Sequence, residues 1–328
     1  MSHSTTEQKG DDVWNPVRWR QEFESASQGA DRDALRRLRA DVFRGTVEAV
    51  RARGYDVDEE WVSLDEDDHY ETLVQETVFY ADTSSTDVPE ERRRTHVTQV
   101  DVVDADCLTV AHELGESGDV AAVLNMASRW NPGGGVLSGA GAQEENLFRR
   151  SVLLHSLYQF MPYAADYDVP QNPEGRCYPI PRDSGGIYSP PTAIFRSCEA
   201  SGYALLPRPY RAAFITVPAI SNPDVIEAGG HLWLTEAMAE ATRTKIRGIL
   251  RIGARHDHAD LVLSAFGCGA FRNPPQHIAR LFRETLAEAE FEGVFRRIAF
   301  AVIDDHNAGH QHNPEGNFIP FARELQTG

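Results

Sequence analysis

Apolar positions recur along this chain with two different periods, and the change between them divides it. Over residues 30 to 54, "ADRDALRRLRADVFRGTVEAVRARG", Leu35, Leu38, Val42, Val47 and Val50 fall near one stripe. That spacing predicts an amphipathic helix, with Gly54 as its stop. An acidic, Pro-containing stretch follows to about residue 95, with "ETVFYAD" as a short strand. Beyond it the pattern alternates. "HVTQVDVVDADCL", "VAAVLNMA", "TAIFRS", "RAAFITVPAI", "DLVLSAFG" and "FRRIAFAVID" read as strands, several of them short apolar runs of the buried kind. Between them, "EENLFRRSVLLHSLYQF", "HLWLTEAMAEATRTKIRGILRIGARH" and "PPQHIARLFRETLAEAEF" read as helices, the last with Pro in its first turn. Strands alternating with helices predict an α/β layered fold around a largely parallel sheet. The segment from 160 to 190, rich in Pro, Gly, Tyr and Asp, reads as a long surface loop, and Tyr163, Tyr167, Tyr178 and Tyr188 within it as a lid, an adenine contact or plain loop packing.

Composition narrows the classes. The chain has 328 residues, 41% hydrophobic and 25% charged, ordinary for a folded protein. No apolar run approaches the roughly 20 residues that span a bilayer, and the polar "MSHSTTEQKGDD" carries no signal-peptide core. The chain is therefore expected to be cytoplasmic and away from membranes. Its net charge of −18 argues against binding duplex nucleic acid, while leaving open a small anion held by backbone N–H groups. The four cysteines, Cys107, Cys177, Cys198 and Cys268, form no CxxC pair and read as reduced thiols. His256, His258, His306, His310 and His312 lie in two His-rich loops, but no HExxH accompanies them, and solvated loops are the expectation rather than a metal site.

Two loops carry candidate chemistry. "NMASRWNPGGGVLSGAGAQEE" leaves the strand "VAAVL", and "AFGCGAFRNPP" leaves "DLVLS". Each clusters glycines between a buried strand and a helix, where exposed N–H groups suit a phosphate or diphosphate. Neither is a P-loop or a dinucleotide fingerprint. Glu144 and Glu145 open the helix after the first loop, which is unexpected beside an anion site. Consecutive helical residues point about 100° apart, so the two acids cannot flank one glycosidic bond as an opposed pair. One is expected to donate a proton and the other to orient a sugar.

Three glycines, a seven-residue gap and QEE together resemble the signature of poly(ADP-ribose) glycohydrolases, and "VLNMAS…NPGGGVLSGAGAQEENLFRRS" with "GCGAFRNPP" is similar to their microbial-type branch. The resemblance runs from about residue 15 to the end. It implies a macrodomain-like α/β/α sandwich with a mixed, largely parallel sheet and an N-terminal helical extension. Residues 1–12 read as a disordered N-terminus, followed by an accessory region over 13–95 packed on the core and a catalytic core over 96–328. The implied activity is hydrolysis of ribose–ribose bonds to release ADP-ribose, without cofactor or metal. By the same resemblance Glu145 is the catalytic acid and Glu144 its neighbour holding ribose hydroxyls. Gly133, Gly134, Gly135 and Val136 form the first substrate loop, with Gln143 beside it. Gly267, Cys268, Gly269 and Ala270 form the second, Phe271 packs on the ribose, and Asn125 supports the site. The implied partners are ADP-ribose and ADP-ribosylated proteins or poly(ADP-ribose). A mono-ADP-ribosyl hydrolase acting on protein or nucleic acid and a non-catalytic ADP-ribose reader are the alternatives. "SRWNP" places bulky Trp130 where a smaller residue is expected, as core packing or as a pocket wall.

Overall fold

A computed structural model describes residues 14–66, 69–116, 118–304, 309 and 312–326. The disorder expected over 1–12 falls outside them. Two helices come first. α1 (Pro16–Gln28) has Pro at its start and Asn15 as a cap, whose side chain accepts from the Arg18 N–H. α2 (Arg32–Ala52) is capped by Asp31 and stops at Arg53, which takes a left-handed φ of 59°. It buries Val42, Phe43, Thr46, Ala49 and Val50, so Val42 and Val50 hold the stripe read from the sequence. The hairpin β1 (Gly54–Val57) and β2 (Glu60–Ser63), α3 (His69–Glu76) and strand β3 (Val78–Tyr80) complete this part.

The rest supplies β4 (Gln99–Val103), α4 (Cys107–Gly115), β5 (Ala122–Met126), α5 (Gln143–Arg150), α6 (Leu153–Leu157), β6 (Gly186–Arg196) and β7 (Leu205–Val217). Then come β8 (Val225–Ala228), β9 (His231–Leu234), α7 (Glu236–Arg255), β10 (Asp260–Leu263), α8 (Pro275–Leu286), β11 (Arg297–Ala301) and α9 (Phe318–Leu325). The central sheet runs β3-β6-β7-β5-β10-β11-β4. β7, β5, β10, β11 and β4 pair in parallel, while β6 pairs antiparallel with both β3 and β7. The sheet is thus mixed and largely parallel. It draws β3 from within the 13–95 segment.

Side chains alternate across the sheet. Val123 and Val262 join an apolar layer with Phe43, Leu108, Leu147 and Leu154. Their neighbours Leu124 and Leu263 join the opposite layer with Ile246, Ile249, Phe282 and Phe321. Helices cover both faces, as in an α/β/α sandwich.

The elements depart from the periodicity in instructive places. "EENLFRRSVLLHSLYQF" is not one helix. It breaks at Ser151, which bridges to Ile194 of β6, and resumes as α6 and a short 3₁₀ turn. Apolar spacing continues across the break, because both pieces pack on the same layer. "HLWL" is a strand paired with β8, and the helix begins only at Glu236. β6 begins at Gly186 rather than at Thr192, and its register shifts between Ser189 and Thr192 around Pro190 and Pro191. Neither proline can donate to the ladder, so the sheet takes a bulge there. No helix among the described residues is long and apolar enough to cross a membrane.

Candidate active site

Parallel pairing brings the carboxyl ends of β4, β5, β10 and β11 to one edge of the sheet, where open α/β sheets place their ligands. A cleft of about 840 Å³ lies there. Asp106, Met126, Ala265 and Ile303 mark the four strand ends in its lining. Trp19, Arg20, Phe23 and Glu24 of α1 and Cys198 to Ala200 close it from the other side. Trp19 is anchored by an edge contact with the ring of Tyr203, centroids 5.1 Å apart.

Each residue of the QEE triplet holds a different piece of backbone. The Gln143 side chain accepts from the Met126 N–H at 2.9 Å and donates to the Leu124 carbonyl at 2.6 Å, tying the start of α5 to β5. Glu144 accepts from the Ser128 N–H at 2.6 Å through Oε2 and from the Gly133 N–H at 3.0 Å through Oε1. Glu145 accepts from the Gly135 N–H at 2.8 Å through Oε1. Its Oε2 is buried and finds no hydrogen-bond partner among the described residues. Burial pushes the Glu144 carboxyl up to about 8, with the Ser128 N–H opposing and the charge of Glu145 adding to it.

The glycines follow from the acids. Gly134, at φ 53°, is so close to both carboxyl groups that a Cβ would fall 2.5 Å from Glu145 Oε1 and 3.1 Å from Glu144 Oε2. Gly133, at φ 76°, would drive a Cβ to 2.7 Å from the Phe148 ring. The amides of Gly133 and Gly135 serve the glutamates, and that of Gly134 serves the Asn131 carbonyl at 3.0 Å. The three amides expected to cradle a diphosphate are thus engaged within the protein, two by its own carboxyl groups and one by a backbone carbonyl. That also removes the conflict between the glycine loop and its acids. Val136 is 1% exposed and belongs to the apolar layer beneath the loop.

The second loop is pinned by Asn273. Its Nδ2 donates to the carbonyls of Ile220 at 2.8 Å and Gly267 at 3.1 Å, which fastens the loop to the chain leaving β7. Gly267 has φ 75° and lies against that amide, 2.6 Å from a Cβ position. Gly267, Gly269, Ala270 and Phe271 line the cleft. Cys268 is completely buried in the apolar layer, so its side chain faces away from the cleft. Asn125 is also fully buried, donating to Thr216 Oγ1 at 3.2 Å, with its amide oxygen buried and unpartnered among the described residues.

Periodicity gave no hint of the buried arginines at the end of α5. Arg149 reaches the Ala140 carbonyl at 2.8 Å and the Tyr203 hydroxyl at 2.9 Å. Arg150 pairs with Asp106 at 2.7 Å and with Asn146 at 3.0 Å. Burial acts to raise the Asp106 carboxyl, yet the Arg150 guanidinium holds it below its ordinary value. The one available signal was the pair of adjacent arginines on a helix whose other residues point inward.

Two of the histidines that suggested a metal are engaged elsewhere, and the solvated-loop expectation is corrected for them. His256 stacks on Tyr188 at 3.5 Å and meets the Tyr80 hydroxyl at 2.8 Å; His258, 6% exposed, meets the Tyr188 hydroxyl at 2.9 Å and the Val120 carbonyl at 2.9 Å. His306 and His310 lie outside the described residues. Among the described residues no three His, Cys, Asp or Glu side chains gather as a metal-binding group.

The sequence matches the family model for the catalytic domain of microbial-type PARG over residues 44–197. A poly(ADP-ribose) glycohydrolase from Thermomonospora curvata, solved with the inhibitor ADP-HPD, is 31% identical and superposes with a TM-score of 0.67, over 88% of this chain and 99% of that one. This chain belongs to the microbial-type poly(ADP-ribose) glycohydrolase family. The Deinococcus radiodurans member solved with ADP-ribose is 31% identical, with a TM-score of 0.59, over 78% of this chain and 96% of that one. No curated protein matches the sequence. The family match contains Glu144 and Glu145 but ends before the second loop, which falls in the region past β7. Within this glycohydrolase fold, Trp130 is 63% exposed with the Arg129 guanidinium 4.5 Å over its ring, so it is surface and not core.

Proposed function

We propose that this chain is a poly(ADP-ribose) glycohydrolase, cleaving ribose–ribose bonds to release ADP-ribose, with Glu145 as the general acid. The observation that carries the assignment of the acid is the asymmetry of its carboxyl group. One oxygen is fixed by the Gly135 N–H at 2.8 Å, and the other, buried and without a partner among the described residues, is the oxygen left to carry a proton. The C–O bond breaks with its electron pair on the departing ribose oxygen, which takes that proton. Water adds to the oxocarbenium-like carbon and gives a proton back, so the acid is restored. Glu144, 3% exposed and bonded through both oxygens to backbone, shapes the loop that sets Glu145. This shifts its role from the expected grip on ribose hydroxyls to support of the acid.

The large cleft takes ADP-ribose, with Gly267, Gly269, Ala270 and Phe271 along one wall. We read the fold as macrodomain-like, with 13–95 as an accessory region on a catalytic core of 96–328, and the partners as poly(ADP-ribose) or ADP-ribosylated proteins. A cytoplasmic location fits thiols left out of disulfides at Cys107, Cys177 and Cys198. Incubation with automodified polymer tests the activity. Wild type releases ADP-ribose, and Glu145→Gln slows release by about 10²- to 10⁴-fold while ADP-ribose binding by calorimetry persists. Equal release by the two proteins would remove Glu145 from the chemistry.

A further inference from the structure

A second cavity, of about 600 Å³, shares no lining residue with the large cleft. Gly134 and Val136 of the glycine loop line it, together with the rings of Tyr158, Tyr163 and Tyr167. Tyr158 is core, but Tyr163 and Tyr167 are half-buried and meet it edge-on, with centroids 5.6 Å and 4.6 Å away. The Arg51 guanidinium stands 5.8 Å over the Tyr167 ring. Gly134 is what separates this cavity from the acid. Having no side chain, it leaves Glu145 Oε1 2.5 Å from where a Cβ would stand. On the other side, Gln143 and Asn146, which bracket the two glutamates in α5, line the large cleft. Glu145 itself lines neither space; it sits between Gly134, which lines the one, and Gln143 and Asn146, which line the other.

We infer that the second cavity is a subsite for the adenosine of the ADP-ribose unit on the leaving side of the scissile bond. This rests on the function proposed above. In the polymer, the oxygen that takes the proton belongs to the adenosine ribose of the neighbouring unit. When the terminal unit fills the large cleft, that adenosine has to sit within a few bonds of Glu145 and outside the cleft. The cavity on the far side of Gly134 from Glu145 is lined by three tyrosine rings, which suit a purine. Asp166 at its edge offers an acceptor for the exocyclic amine, and Arg51 adds a cation over the stack.

The test compares two substrates that share a terminal ADP-ribose and differ in leaving group. One is poly(ADP-ribose). The other is an aryl glycoside of ADP-ribose, whose leaving group carries no nucleotide. Tyr163→Ala and Tyr167→Ala are expected to raise KM for polymer about tenfold, the loss of one base stack, with kcat nearly unchanged. The loss should be confined to polymer, and Tyr163→Phe should restore the wild-type KM. An equal loss on both substrates would make the tyrosines structural and overturn the inference. So would an unchanged polymer KM in an otherwise active enzyme. A raised KM for a mono-ADP-ribosylated peptide without change on polymer would assign the cavity to the acceptor protein instead. Wild type that leaves polymer intact would defeat the proposed function itself, a result distinct from the others.

Discussion

A methyl group on Gly134 would stand 2.5 Å from Oε1 of Glu145, well inside van der Waals contact. The same residue holds φ 53°, where an L side chain is strained by about 1–2 kcal/mol. Gly134→Ala is therefore expected to fold, since the loop can give way, but with the acid displaced. A shift of about 1 Å at a reacting group costs on the order of 10²-fold in rate. Polymer hydrolysis and circular dichroism measured together check this. Near-normal kcat would show that the acid's position does not depend on the bare glycine.

Glu144 gives a pH signature. Its carboxyl is held up to about 8 in the folded protein, against an ordinary 4.5, chiefly by burial. Folding thus favours the protonated form. This group's contribution to stability is full below pH 4.5 and is lost as the pH rises through about 8. The carboxyl ¹³C resonance missing from Glu144→Gln should titrate near pH 8 in the wild type. A midpoint in the usual carboxylate range would contradict the effect of burial.

Arg150 and Asp106 make the opposite prediction. Arg150 is 1% exposed, and its guanidinium bonds Asp106 at 2.7 Å. Removing it in Arg150→Met strands a largely buried carboxylate at the cleft wall and is expected to cost about 3 kcal/mol in urea unfolding. Because the Asp106 carboxyl is held below its ordinary value, the pair's contribution is present above about pH 4 and fades as pH falls. The gap between variant and wild type should therefore narrow in acid; a gap that is constant with pH would assign the loss to packing alone.

Asn273→Ala is expected to loosen the second loop. It leaves the Ile220 carbonyl without its side-chain donor, a loss of about 1–3 kcal/mol. ADP-ribose affinity by calorimetry should fall with it, because Gly267 and Phe271 both lean on that amide or its neighbours. Unchanged affinity in a destabilised variant would separate the loop from the ligand.

These sites differ in how plainly the sequence announces them. The QEE triplet and the triple glycine are visible because they are consecutive, and the strand apolar runs because β5 and β10 are buried on both faces. The direction in which amides point is another matter. Gly133 to Gly135 look like a phosphate cradle from composition alone, and only the folded loop shows that their donors turn to Glu144, Glu145 and Asn131. Arg149 and Arg150 escaped for a related reason. Arginine is ordinarily solvated, and nothing local to "FRRS" reveals partners at Tyr203 and Asp106. Asn273 reads as one more turn residue in "FRNPP", because its partner at Ile220 is 53 positions away. α4 and α9 are short, and α1, though of ordinary length, buries only Trp19, so their apolar residues are too few for periodicity to register before packing supplies the rest.

Gln143, Glu144 and Glu145 grip three separate stretches of main chain: the end of β5, the bend from Ser128 to Gly133, and Gly135. Three neighbouring letters therefore work as stitches through one fold of cloth. A defect in any of them would pull on the others, so damage to this enzyme should map to the whole hem from Asn125 to Glu145 and not to a single essential acid.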